Sequence, residues 1–391
     1  MRKERIAELE LVRSFAFLAV VYQHVIGIYI RVPGIDEQTA VLYGMLFHLL
    51  KFAVPAFVFI TGLVLFYNYY ENISYLGFMR KRMMEILVPY LLWSGIYLSL
   101  QPGFPPEGSS VLWSLAKNLG TGTASYHLWF VVMIFQFYLL YPFWQQVFRF
   151  LRRHADSMQK LAGVIGLLGM AYGLLMWFSA RYIPANAFWF NQVWLDTYLI
   201  KYRDRNAFYY FYYFLFGGLA AVALPVFRAK IKQYWIWICT SFLIMYAYIG
   251  YELFRDSGNG LINLNVATSL KPSMFLYTVA QLLVVYGIAL SLMKYPRICS
   301  WLTKIGQYSF GAYLIHALVL TNVMQFLRSI SLFHEGLLGS LVAFGLCAVF
   351  SFGITFALSK LPFGWLLVGS AKKKKPKTVA SEETRHHQKA M

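Results

Sequence analysis

Charge is what this sequence lacks most. Only 13% of its 391 residues are Asp, Glu, Lys or Arg, whereas 59% are hydrophobic and 19% aromatic. A water-soluble chain of this length needs a polar surface that such a composition does not supply, so the chain reads as an integral membrane protein. Acid is especially scarce: 16 Asp and Glu stand against 35 Lys and Arg, a formal charge of +19. In a soluble protein that excess would point to nucleic acid. Here it is the mark of cytoplasmic loops that orient membrane helices, and no nucleic-acid partner is expected. The three cysteines, Cys239, Cys299 and Cys347, are scattered and form no CxxC pair. They support neither a disulfide framework nor a structural zinc site, and no metal is expected. No small-residue cleavage site follows the first apolar run, which continues to Ile30, so that run reads as a retained helix.

What the chain has in quantity is apolar runs. About ten are long enough to cross a hydrocarbon core of about 30 Å: residues 11–30, 42–67, 86–101, 127–147, 161–181, 207–226, 233–250, 273–294, 305–327 and 336–361. The expected fold is therefore all-α, a polytopic membrane helix bundle. Alternate loops hold the cations: Arg80, Lys81 and Arg82, then Arg149, Arg152, Arg153 and Lys160, then Arg228, Lys230 and Lys232, then Lys294, Arg297 and Lys304. The basic N-terminus and the run Lys372–Lys375 fall on the same side. Both termini are then cytoplasmic, and the number of crossings is even. Residues 1–370 form one transmembrane domain; 371–391 read as a basic, disordered cytoplasmic tail drawn to anionic membrane lipid.

Ionisable residues inside spans are expensive, about 2.5–3.5 kcal/mol each on insertion scales, and are functional candidates for that reason. Arg13 and His24 lie in ELELVRSFAFLAVVYQHV. Their spacing places both on one helical face, about 16 Å apart along the axis, with Arg13 at the cytoplasmic rim and His24 near the midplane. Glu10 precedes Arg13 by one turn and can pair with it. Lys51 is expected about 13 Å into the second span. Ser309, Tyr313 and His316 share a face of the ninth, with His316 near its middle. His127 opens the fourth span in YHLWF, at the outer interface. Each has a plain alternative: an arginine snorkelling to headgroups, or a histidine bonded between helices. Three cationic or titratable groups at one depth are harder to dismiss.

These residues and their order resemble the acyltransferase type 3 integral membrane proteins. The resemblance runs from Glu10, Arg13 and His24 through VPAFVFITG, FMRKRMMEILVPYLLW, YHLWFV and IGQYSFGAYLIH, and covers about residues 8 to 361. ATSLKPSMFLY is similar to a segment of the subgroup that modifies bacterial polysaccharide intercellular adhesin. The family often carries RxxR before its third helix, but here Arg82 is followed by Glu85. Either Lys81 or Arg80 substitutes for that arginine, or the contact is absent.

The resemblance implies a multi-pass enzyme of the bacterial plasma membrane. It would move an acyl group, acetyl or succinyl, from cytoplasmic acyl-CoA to a hydroxyl of an envelope or extracellular polysaccharide or its lipid-linked precursor. Acetyl-CoA or another acyl-CoA would be a substrate, with no tightly bound cofactor. Arg13, Arg80, Lys81 and Arg82, with Glu10 orienting Arg13, would hold the donor's phosphates. His24 would act as general base or as covalent acyl carrier. Lys51, His316 and Tyr313 would stabilise the oxyanion or position the acceptor, with His127 and Trp129 of YHLWF as further binding residues. The competing expectation is an exporter of polysaccharide or lipid-linked sugar without acyl-transfer chemistry.

Overall fold

The computed structural model describes residues 5–155, 157–185, 201–256, 264, 270–330 and 336–369. The tail expected over 371–391 lies outside the described residues. In lipid, every backbone N–H and C=O must find its partner within the protein, so long apolar runs become helices. Among the described residues there is no strand. In chain order the helices are α1 (Glu8–Tyr29), α2 (Glu37–Leu49), α3 (Ala53–Tyr69), α4 (Tyr75–Arg82), α5 (Val88–Ser99), α6 (Val111–Thr121), α7 (Trp129–Leu139) and α8 (Tyr141–His154). Then follow α9 (Met158–Trp177), α10 (Phe211–Val222), α11 (Leu224–Gln233), α12 (Trp235–Asp256), α13 (Pro272–Leu292), α14 (Pro296–Ser329), α15 (Leu337–Leu358) and the short α16 (Trp365–Val368).

Seven segments among the described residues are long and apolar enough to cross a membrane, and two bent pairs raise the number to nine. The bends are where the expected spans 127–147 and 207–226 fall. The α7–α8 pair turns by 60° at Leu140 and the α10–α11 pair by 102° at Ala223. Pro142 and Pro225 cause this: each lacks an N–H and sits in the first turn of the new helix. The remaining expected span, 86–101, falls on α5, which at twelve residues reaches only about 18 Å. It continues the helix begun at Tyr75 through a π-helical turn at Met83–Leu87.

Helices in lipid gain little from hiding apolar surface from one another, so their closest crossings fall to small residues. α3 and α10 meet backbone to backbone. A Cβ on Gly62 would strike the Phe214 carbonyl, and one on Gly217 the Phe59 carbonyl. We expect Gly217→Leu to force the two helices apart. The variant should elute as aggregate where the parent elutes as a single species in size-exclusion chromatography. Around this crossing, α1 packs against α14, with Phe17, Phe59, Phe66 and Tyr286 among the fully buried side chains.

Candidate active site

α1 is anchored at its start by two acidic side chains. Glu8 Oε1 accepts hydrogen bonds from Arg228 of α11 and Tyr286 of α13, both at 2.7 Å. Glu10 Oε1 takes Arg5 at 2.8 Å and Arg13 at 2.9 Å. This fixes the rotation of α1, and with it the face that carries Arg13 and His24.

The stretch expected as one second span is broken. α2 stops at Leu49 and α3 begins at Ala53. A helix end leaves carbonyl groups without intrahelical donors, and at membrane depth something must satisfy them. The backbone N–H groups of Leu50 and Lys51 turn back to the Phe47 and His48 carbonyls, and four side chains from other helices add donors along the last turns. Tyr246 donates to the Met45 carbonyl at 3.0 Å, Gln23 to Phe47 at 3.4 Å, Tyr277 to His48 at 3.0 Å and Gln281 to Leu49 at 2.5 Å. Lys51 stands in the break. Its ammonium lies 4.4 Å from the Phe47 ring centroid, next to the partly negative end of α2.

Lys51 and His24 line a single cavity of about 460 Å³, together with Arg31, Tyr126, His127 and Trp129. No carboxylate among the described residues lines it. Two imidazoles on its wall, His24 and His127, flank a third, His316, buried behind them. His24 stacks on His316 with centroids 5.2 Å apart, and His316 meets the edge of His127 at 4.6 Å. Tyr126 closes on His24 from another side at 4.7 Å.

The hydrogen-bond partners of the three rings differ. His127 is held at both nitrogens. Its Nε2–H donates to the Leu314 carbonyl at 3.3 Å, and Nδ1 accepts from the Ser125 hydroxyl at 3.1 Å. His316 gives its Nδ1–H to the Tyr313 carbonyl, leaving Nε2 buried with a lone pair and no hydrogen-bond partner. His24 makes no hydrogen bond with any described residue, so both its nitrogens are available to a substrate. The Tyr313 hydroxyl is committed: it donates to the His127 carbonyl.

A second cavity, of about 270 Å³, lies toward the basic ends of α1 and α14. Arg13, Arg82, Glu85, Gln307 and Ser309 line it. Arg13 and His24 thus share a face of α1 but open into different compartments.

The sequence profile of the family described as "Acyltransferase domain" matches residues 6–360. The chain belongs to that family. It is similar to "Putative membrane-bound acyltransferase YfiQ" of Bacillus subtilis (strain 168), 24% identical over 392 residues that cover 98% of this chain and 99% of the relative. No solved structure matches. The protein is a multi-pass membrane acyltransferase.

In this acyltransferase the expected site residues divide. Glu10, Arg13, His24, Lys51, Tyr313, His316, His127 and Trp129 all lie along the two cavities or against their lining. Arg80 and Lys81 do not: both are exposed and line neither cavity. Neighbouring helical positions fan out by about 100°, so only one of three consecutive cations can face inward, and it is Arg82. The Glu85 that replaces the second arginine of RxxR binds Arg82 at 3.2 Å and approaches Lys81 at 3.9 Å, partly neutralising that rim. His127, expected at the outer interface, is buried and meets the edge of the His316 ring. Gly122 positions it: this residue ends α6 in the left-handed region (φ 65°) and lies so close to Trp129 that a Cβ would meet its backbone. The turn it makes brings His127 and Leu128 inward. Sequence reasoning missed Tyr126, Arg31 and the capping side chains Gln23, Tyr277 and Gln281. Tyr126 had a signal, its place beside His127 in YHLWF.

Proposed function

We propose that the enzyme transfers a short acyl group from cytoplasmic acyl-CoA to a hydroxyl of a cell-envelope or extracellular polysaccharide, or of its lipid-linked precursor, across a bacterial plasma membrane. The observation that carries this reading is His24, with neither ring nitrogen engaged by a described residue, facing a cavity that also presents Lys51. Arg13 and Arg82, lining the second cavity on the basic side, supply cations for the phosphates of coenzyme A. The pantetheine arm is long and thin, so the nucleotide can stay at the membrane surface while the thioester approaches the midplane.

In this mechanism His24 removes the proton from an acceptor hydroxyl as its oxygen attacks the thioester carbonyl. Lys51 balances the negative charge that develops on the carbonyl oxygen. Collapse breaks the carbon–sulfur bond, completes the ester, and returns the proton from His24 to the departing thiolate. His316 backs the His24 ring and holds it in place.

Arg13→Gln should raise KM for acetyl-CoA about tenfold with a smaller change in kcat, because it removes a phosphate contact kept throughout the reaction. Initial rates in membrane vesicles over a range of acetyl-CoA concentrations test this. A lowered kcat at unchanged KM would place Arg13 in the chemistry instead. The overall reading is tested by the ester-linked acyl content of surface glycans with and without the protein. Equal content would refute it.

A further inference from the structure

The two cavities share three lining residues: Phe57 of α3, Phe130 of α7 and Tyr313 of α14. The charged lining residues Arg13, Arg82 and Glu85 belong to the smaller cavity; His24, Lys51 and Arg31 belong to the larger. Phe130 lies 5.6 Å from Phe57 and 5.7 Å from Tyr313, centroid to centroid. Those are the separations of tilted and edge-on rings in contact. The three side chains therefore stand as a wall between the two compartments.

We infer that Phe57, Phe130 and Tyr313 form a partition that selects the acyl group by its width. The inference rests on the reading that the donor enters from the basic side. An acyl group whose coenzyme A phosphates are held by Arg13 and Arg82 must pass these rings before its carbonyl meets His24. Two of the rings are fixed. Tyr313 is tied through its hydroxyl to the His127 carbonyl, and Phe130 is buried and wedged between Phe57 and Tyr313. Phe57 is only half-buried, and it is the ring that can swing aside. A small displacement admits an unbranched two-carbon group. A branched or aromatic acyl group needs the wall opened on both sides, which the pinned rings oppose. The same closure keeps water of the basic-side compartment from His24 while the thioester is in place.

The test uses membrane vesicles that contain the full-length protein and its own acceptor, supplied in turn with acetyl-CoA, isobutyryl-CoA and benzoyl-CoA. Release of the coenzyme A thiol and ester-linked acyl in the glycan are both measured. The wild type should use isobutyryl-CoA at least tenfold less well than acetyl-CoA in kcat/KM, and benzoyl-CoA less well again. Phe57→Ala should narrow the isobutyryl-to-acetyl gap about tenfold, and Phe57→Leu should fall between. The leucine variant keeps most of the packing and answers the question even where the alanine variant does not fold. An unchanged acyl preference in a monodisperse Phe57 variant, or equal use of all three donors by the wild type, overturns the partition. If the wild type releases no thiol from any acyl-CoA, the donor reading itself fails, and acyl selection by the partition falls with it.

Discussion

His24→Ala is expected to lower kcat for acyl transfer by at least about 100-fold while the protein inserts and folds as before, the loss typical of removing a positioned general base. The geometry separates this residue from its neighbours. Among the three clustered imidazoles, His127 has both nitrogens engaged and His316 has one nitrogen committed to a backbone carbonyl. His24 alone combines a place on the cavity wall with two nitrogens that no described residue engages. The loss should therefore be specific, with membrane abundance and elution profile unchanged. His316→Ala should also reduce turnover, but through displacement of the His24 ring, and His316→Phe should restore part of it by replacing the stacked surface. No partial rescue by phenylalanine, with activity that tracks the imidazole alone, would move proton transfer to His316.

The second large effect is expected at Lys51. Lys51→Met keeps the stem and removes the charge. We expect kcat to fall about 100-fold, the usual consequence of deleting a donor aimed at developing negative charge, with KM for acyl-CoA changed by less than roughly threefold. The reason is structural. The chain breaks its helix to place this ammonium in the cavity, and Gln23, Tyr246, Tyr277 and Gln281 are all spent on carbonyls of the final turns of α2. The Leu49 carbonyl, which takes its hydrogen bond from Gln281, would cost about 1–3 kcal/mol if buried and left unpaired. Retained kcat in a stable Lys51→Met protein would assign the lysine to acceptor binding instead. KM for the acceptor would then carry the effect.

Much of the architecture was legible because it is written in short-range pattern. Apolar run length gave the fold class, and an eleven-residue spacing put Arg13 and His24 on one face. The i, i+3 spacing of Glu10 and Arg13 gave an ion pair that the structure contains at 2.9 Å. What was not legible depends on residues far apart in the chain. That Arg82, rather than Arg80 or Lys81, faces inward depends on how α4 rotates against α7, where Arg82 lies over the Phe78 and Tyr138 rings. The break around Lys51 is absent from the hydropathy pattern, since Leu50 and Phe52 are as apolar as their neighbours. Donors from α1, α12 and α13, far away in the chain, converge on it. The same holds for the wall of Phe57, Phe130 and Tyr313: three ordinary aromatic residues in three helices become a boundary only when the helices meet.

In the proposed mechanism the donor acts from the basic side, while His24 and the acceptor lie beyond the partition. Sealed vesicles of both orientations, supplied with acetyl-CoA labelled in the acetyl group, test it most directly. Label should enter the glycan as alkali-labile ester only when acetyl-CoA is on the side that exposes Arg82 and the basic loops. It should be absent in vesicles carrying His24→Ala. Equal incorporation from either side, or none from both, would rule out this arrangement of donor and acceptor.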